Sequence, residues 1–511
     1  MESASVAAEA GGVAPGSKGL KANAIGYLSN LVISVASVAP AYSLAATLGF
    51  VVGVNGVGLA APAVMIVSFI PMLLIAVAYK YMNQADPDAG TSFTWVTRAM
   101  GPHLGWLTGW VIVIADVVVM ATLAYIAGVY TFLLFGLDAA STNLLDVSIA
   151  AAVWIALMTW ICYVGIELSA AVQRVLLTIE IITLAVFAVV ALVKTYGSPG
   201  PASIHVSGSW FNPFSIGWGP LIDGVLLGTF IYWGWDSGVC VNEESRDSSR
   251  GPGKAAIMST LLLLAIYVVV SAAAQAYAGP KYLVHHHNDV LGALGGKVFG
   301  SPLDKLLIIT VLTSASASTQ TTILPTARTT LSMARFGAIP KAFGRIHPSH
   351  LTPSVSTLAM GAASLVWTLF IINASQNVLG DSITGLGFQI AFYYGLTGFA
   401  CAIYYRRELT KSLRNFLFVG LAPVLGGAML TFIFVKALTF YKDPIENYSG
   451  SFLGIGTSVA VGVGLILVGI LFMIWANVVY PRFFGRRPET SPPGFLEAPA
   501  AGPAVATVTP E

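Results

Sequence analysis

Apolar stretches of about 20 residues recur from one end of the chain to the other, and they restrict its fold more than anything else it contains. A helix of that length crosses a hydrocarbon core of about 30 Å. Of the 511 residues, 56% are hydrophobic and 9% are charged, against about 25% charged in soluble domains. A water-soluble chain of this size cannot keep so much apolar surface from solvent, so the bilayer is its solvent. The expected fold class is an all-α polytopic membrane protein of twelve transmembrane helices.

The spans are expected over about 25–52, 57–81, 104–135, 147–165, 171–194, 218–241, 255–278, 305–334, 354–373, 384–405, 415–438 and 452–480. An even count leaves both ends on one side, and lysine and arginine concentrate on cytoplasmic flanks. Placing both termini inside puts 19 of the 25 basic residues there and leaves Lys194, Lys281, Lys297, Lys305, Lys436 and Lys442 outside. The chain therefore reads as a multi-pass protein of a plasma membrane of the bacterial inner-membrane type. Residues 1–23 are Ala/Gly-rich and lack the basic-then-apolar order of a cleavable signal. They read as a disordered cytoplasmic tail, as do the Pro/Ala-rich residues 481–511, leaving one transmembrane domain over 24–480. A net charge of +2 gives no sign of a nucleic-acid partner, and no cofactor is implied. Cys162, Cys240 and Cys401 lie in or beside apolar segments without CxxC spacing and read as packing residues.

Two spans are not written as continuous helices. In Ser34-Val35-Ala36-Ser37-Val38-Ala39-Pro40 the proline has no N–H and clashes with the turn before it, so the first helix should break there. The sixth span runs Phe230-Ile231-Tyr232-Trp233-Gly234-Trp235-Asp236-Ser237, with a glycine and an acid at its middle. Either feature alone is compatible with a tolerated kink. The second break falls five spans after the first, which is the spacing of folds built from two inverted five-helix repeats, each beginning with a discontinuous helix and holding substrate between the breaks.

Three stretches resemble the amino acid-polyamine-organocation superfamily. The first is Asp86-Pro87-Asp88-Ala89-Gly90-Thr91-Ser92-Phe93 through Arg98-Ala99-Met100-Gly101-Pro102 and Gly109-Trp110. The second is Gly234-Trp235-Asp236-Ser237 followed by Asn242-Glu243-Glu244, and the third is Arg328 with Ala334-Arg335-Phe336-Gly337-Ala338-Ile339-Pro340 and Thr352-Pro353. The resemblance covers about residues 25–410 and implies the LeuT-like fold, with repeats over about 24–195 and 215–405 and two added helices over about 415–480. It implies secondary transport of amino acids, polyamines or similar amines. Many members carry Gly-Ser-Gly in the first break, where this chain has Ser34-Val35-Ala36-Ser37, and Val35 narrows the space near a substrate's backbone atoms.

Substrate contacts are expected at Ser34, Val35, Ala36, Ser37, Asp116, Phe230, Ile231, Tyr232, Trp233 and Gly234, and coupling or gating at Glu180 and Asp236. An unwound helix frees N–H groups, and the positive end of the next half-helix favours an anion, so Ser34–Ser37 could hold a carboxylate. Freed carbonyls at Ile231 and Tyr232 suit an ammonium, and the neighbouring rings can add cation–π attraction. The same rings could instead simply pack against neighbouring helices. The resemblance places Phe230 as a lid, turns Asp116 toward the cavity, and makes Glu180 the ion-linked residue of the fifth helix. Ionisable groups inside a membrane are expensive and require partners, which Arg328 or a helix end could also supply. The hydroxyls of Thr313-Ser314-Ala315-Ser316-Ala317-Ser318-Thr319 could serve a sodium ion or simply let helices approach closely. With no complete sodium site in view, proton coupling or exchange is the expectation.

Other signals carry less. His285-His286-His287 follows Gly279-Pro280 and reads as a solvated outer loop, and Gly251-Pro252-Gly253-Lys254 lacks the spacing of a phosphate-binding loop. A membrane enzyme would need His, Cys or carboxylates converging at one depth, and a channel would need no occluding aromatics. A carrier of amino acids or related amines fits better, with a polyamine or other organic cation as the alternative substrate.

Overall fold

The computed structural model describes residues 18–375, 377–491 and 496. The rest of the two expected tails, 1–17 and most of 492–511, lies outside the described residues. The first span is two helices, α1 (Tyr27–Val38) and α2 (Pro40–Gly53). Then follow α3 (Ala61–Ala85), the short α4 (Ser92–Met100), α5 (Pro102–Leu134), α6 (Leu144–Val164) and α7 (Ile166–Gly197). The sixth span is α8 (Trp218–Ile231) and α9 (Ser237–Cys240). Beyond it lie α10 (Gly251–His285), α11 (Val290–Phe299), α12 (Lys305–Arg335), α13 (Ser354–Ala374), α14 (Val378–Tyr404), α15 (Leu413–Tyr441) and α16 (Thr457–Val479).

Among the described residues, 11 helical stretches are long and apolar enough to cross a membrane, against twelve expected spans. The difference is the sixth, which is interrupted and so presents only a 14-residue apolar helix. Both interruptions follow from local chemistry. Ala39 lies in the left-handed region (φ 50°, ψ 66°) and Pro40 opens α2 as its first residue, where a missing N–H costs nothing. In the sixth span Gly234 takes φ +115°, open to a residue without Cβ. Gly279 (φ 73°) likewise kinks α10, but Pro280 restarts the helix, so the expected histidine loop is a helix as far as His285.

Burial grades from centre to rim. The most apolar window of the first span is 89% buried, whereas that of α16 is 28% buried and turns Leu467, Leu471, Ile474 and Trp475 outward. Apolar side chains on such outer faces suit lipid as they would not suit water. The broken helices are therefore innermost, α1 and α2 packing chiefly on α10, α12 and α7 or α11, and α8 on α3 and α14. Among the described residues the strands are two short ones, Ser451–Phe452 pairing antiparallel with Ile455–Gly456.

Residues on both expected tails are packed. Lys18 joins an ion cluster and Leu20 is buried against Ala89 and Leu331, so ordered structure begins before residue 23. At the other end Phe483 and Phe484 are buried beside Phe93, Trp106 and Met333, and Glu489 N donates to Arg98 O at 2.6 Å. Composition missed these segments because a few buried anchors suffice to hold a polar or Pro-rich stretch on a surface.

Candidate functional site

The two breaks touch. Ser37 and Ser237 share a hydrogen bond of 2.7 Å between hydroxyls. A Cβ on Gly234 would lie 2.8 Å from Ser37 O, and one on Gly238 would lie 2.0 Å from Ser34 Oγ and 2.6 Å from Asn30 O. The two glycines thus let the backbones meet where any side chain would push them apart. Below the breaks, Ile25 N donates to Glu244 O at 3.1 Å and Arg246 N to Ile25 O at 2.9 Å, fastening the chain before α1 to the end of the sixth span.

The positive end of α2 is capped by other helices. Pro40 has no N–H, Ala41 N donates to Glu180 Oε1 at 2.7 Å, and Tyr42 N donates to Ser314 Oγ at 3.1 Å. The Ser314 hydroxyl in turn donates to Glu180 Oε1 at 2.7 Å. Ser318 Oγ donates to Ser37 O at 2.8 Å, so the hydroxyl run on α12 does face the first break, through protein partners. A carboxylate at a helix N-terminus meets both free N–H groups and the positive end of the dipole. Glu180 is thus the helix-end pairing of a buried acid, not an ion pair with a cation.

Between the breaks lies a cavity of about 20 Å³, room for about one water. Ser37, Asp116, Phe230, Trp233, Gly234 and Asp236 line it. Ser34, Val35 and Ala36 are buried within α1 and Glu180 sits behind α2, so none of the four lines it. Ile231 O accepts the Tyr267 hydroxyl at 2.8 Å, and the Tyr232 ring packs on Phe69 and Tyr267, so these two also turn away. Tyr42, Ser237, Thr322 and Tyr393, which were not among the expected substrate contacts, line the cavity as well, as does Ser318 of the hydroxyl run. Alternation of polar residues along α12 was the available signal for Ser318 and Thr322; the tyrosines carried none.

Each acid in the cavity has hydroxyl partners. Asp236 accepts from Tyr394 at 2.9 Å, Tyr393 at 3.2 Å and Tyr79 at 3.3 Å, and Asp116 accepts a close bond from Thr326. The residues lining the cavity include neither lysine nor arginine. Arg328 is engaged elsewhere. Its guanidinium grips Glu244 with two bonds, 2.6 Å and 2.9 Å, and the side chains are 3% and 0% exposed.

Charge closes the end of the bundle that carries Lys18. Lys18 Nζ reaches Asp88 at 2.7 Å, Glu243 at 2.6 Å and Ser332 Oγ at 2.8 Å. Burial opposes the charge on Lys18, but its two carboxylate partners outweigh burial and hold the ammonium above the ordinary lysine range. On the same balance burial works against the Asp88 anion, Lys18 and the Gly90 N–H outweigh it, and the carboxyl is held below its usual range. The opposite end is open, with a vestibule of about 1130 Å³ edged by Phe50, Asp223, His287, Lys436, Glu446 and Tyr448.

Apolar helices, two of them broken against each other around a polar cavity, with ion pairs at one end of the bundle and a vestibule at the other, define a membrane transporter. The chain belongs to the amino acid permease family, whose match covers residues 25–392. An uncharacterized transporter of Mycobacterium tuberculosis is 26% identical over 333 residues, 63% of this chain and 70% of that one. A branched-chain amino acid permease of Bacillus subtilis is 22% identical over 318 residues, covering 58% of this chain and 65% of its own length. A low-affinity putrescine importer of Escherichia coli is 21% identical over 377 residues, covering 72% and 79%.

Proposed function

We propose that this protein is a secondary transporter that moves an amino acid or related amine by alternating access, with the substrate's ammonium as the counter-charge of Asp116 and Asp236. One observation carries this reading: two carboxyls line one cavity between the helix breaks, and no basic residue lines it with them. A cavity that buries two carboxyls beside no lysine or arginine suits a cation, and the cargo's ammonium is the cation we assign to it. Relatives named for a branched-chain amino acid and for putrescine support the amine group as the shared element. The difference between the ends supports alternating access, since ion pairs of Lys18, Asp88, Glu243 and Arg328–Glu244 fasten one end while a vestibule lies at the other. The charge bias supports the closed end as cytoplasmic and the membrane as a plasma membrane, and the positions of the breaks support repeats over about 24–195 and 215–405.

Proton coupling or exchange is the mode we propose. Glu180 joins α7 to the start of α2 and to Ser314 on α12 through one oxygen, and its second oxygen is buried without a hydrogen bond among the described residues. Adding a proton removes the charge that the α2 dipole favours, so protonation and the position of α2 are linked. Counterflow in proteoliposomes tests transport itself: unlabelled substrate inside should accelerate entry of labelled substrate, and an enzyme or channel would show no such acceleration. Uptake should persist with choline in place of sodium, and strict sodium dependence would overturn the coupling.

A further inference from the structure

We infer that the cargo of the central cavity is an amine without a carboxylate, such as a diamine or monoamine, and not an amino acid. The inference rests on the reading that an ammonium meets Asp116 and Asp236, and it concerns the other end of the molecule. An amino acid brings a carboxylate to the same depth, and a buried carboxylate needs N–H donors, hydroxyl donors or a cation. No lysine or arginine lines the cavity.

The backbone donors of the first break are all engaged. Ala39 N donates to Ala36 O at 3.1 Å, Pro40 has none, and Ser43 N donates to Ala39 O at 2.8 Å. Ala41 N and Tyr42 N, the two that a half-helix would offer an incoming anion, are held by Glu180 and Ser314. A substrate carboxylate at that place would have to displace the protein's own carboxyl or sit against it as a like charge.

Most of the side-chain donors around the cavity point at protein acceptors as well, the Thr322 hydroxyl excepted. Tyr42 OH donates to Thr122 at 2.7 Å, Tyr393 OH to Asp236 at 3.2 Å, and Trp233 Nε1 to Tyr393 OH at 2.5 Å. The Ser318 hydroxyl is held by Ser37 O at 2.8 Å, and Ser37 and Ser237 bond each other. Acceptors, by contrast, are in surplus, because Asp116 receives a single hydroxyl donor although a carboxylate has about four acceptor sites. A site with acceptors to spare and most of its donors engaged suits a cation better than an anion. Sequence similarity does not decide between the two classes, since the amino acid permease and the putrescine importer stand at 22% and 21% identity.

The test uses pairs of compounds that differ by one carboxylate: cadaverine with lysine, putrescine with ornithine, agmatine with arginine, tyramine with tyrosine, and isobutylamine with valine. Binding to the purified full-length protein is read by ligand-induced thermal shift and by competition for uptake in proteoliposomes. In at least one pair the amine should bind 10-fold or more tighter than its amino acid, and in no pair should the amino acid bind tighter. An amino acid that binds as well as or better than its amine overturns the inference. Asp116→Asn then separates the two levels: if it weakens that amino acid 10-fold or more, the ammonium pairing stands and only the exclusion of carboxylates falls; if it has no effect, both fall. Glu180→Ala, which frees Ala41 N–H, should raise the affinity of amino acids relative to amines by 10-fold or more, and an unchanged ratio in the folded variant contradicts the role given to Glu180. Should that variant not fold, the pairs measured on the unaltered protein still decide the matter.

Discussion

Removing one partner of the Arg328–Glu244 pair should cost far more than removing both. At 2.6 Å and an effective dielectric of 20, the pair's attraction is about 6 kcal/mol. Much of that offsets the cost of taking two charges out of water. A lone buried charge keeps the desolvation cost and loses the attraction, so Arg328→Met and Glu244→Leu should each destabilise by about 3–5 kcal/mol. The double variant replaces both charges with apolar side chains of similar reach, and for such replacements the change runs from about zero to a gain of a few kcal/mol. Melting of the purified protein gives the four corners of the cycle, with the double variant expected close to the unaltered protein and well above either single one. Because the pair ties the end of the sixth span to α12 at the closed end, the double variant should also expose that end more often, read as faster labelling of a cysteine introduced nearby. If the two single losses simply add in the double variant, the pair is not a desolvated unit and the reasoning fails.

Gly238→Ala should sharply reduce transport, since its Cβ would stand 2.6 Å from the Asn30 carbonyl, backbone that cannot rotate away; overpacking of this kind costs roughly 1–3 kcal/mol. Normal uptake by that variant would show that the breaks need not touch. Phe230→Ala should weaken apparent substrate affinity by about 1–2 kcal/mol through lost ring contact, while Phe230→Trp keeps it, and unchanged affinity in the alanine variant would make the ring mere packing. The Lys18 cluster gives a pH prediction. A lysine held above its ordinary range contributes stability that is whole below about pH 10.4 and lost above it, and an aspartate held below its range contributes stability that is whole above about pH 3.9 and lost beneath it. The Lys18–Asp88 pair therefore stays charged between those limits, and Lys18→Gln should lower the melting temperature at both pH 5.5 and pH 8, by amounts that differ because burial pushes the neighbouring Asp86 up to about 6 and Lys18 favours its anion. A variant that melts like the unaltered protein at both would contradict the assignment.

Proline and glycine made the two breaks legible, because their effect on the backbone is local and needs no knowledge of neighbours. The apolar period is likewise local, which is why the uninterrupted spans were readable, with ends off by up to seven residues, as at His285. What faced what was not. In a helix that is apolar all round, hydropathy does not say which side is inward, so Val35 and Ala36 could not be told from the lining residue Ser37. Partners distant in sequence were hidden for the same reason. Tyr79, Tyr393 and Tyr394 come from two helices to reach Asp236, and Glu180 lies 139 positions from the N–H it caps. Glu180 shows the consequence: its burial was readable and its importance inferred, but its role as the cap of α2 required the packed structure.

The central claim is that the ammonium of the cargo completes the charge of Asp116. An opposite charge at about 4 Å is worth roughly 4 kcal/mol at an effective dielectric of 20, before desolvation is subtracted. Asp116→Asn keeps the shape and the contact with Thr326 while removing that charge. Ligand-induced thermal shifts of both proteins, measured with cationic amines and with neutral and anionic amino acids, report the difference directly. The account predicts that the unaltered protein is stabilised by ligands that carry an ammonium and that Asp116→Asn loses that stabilisation by 10-fold or more in affinity, zwitterionic amino acids included wherever they bind. A preference for neutral amino acids that survives Asp116→Asn unchanged would contradict it.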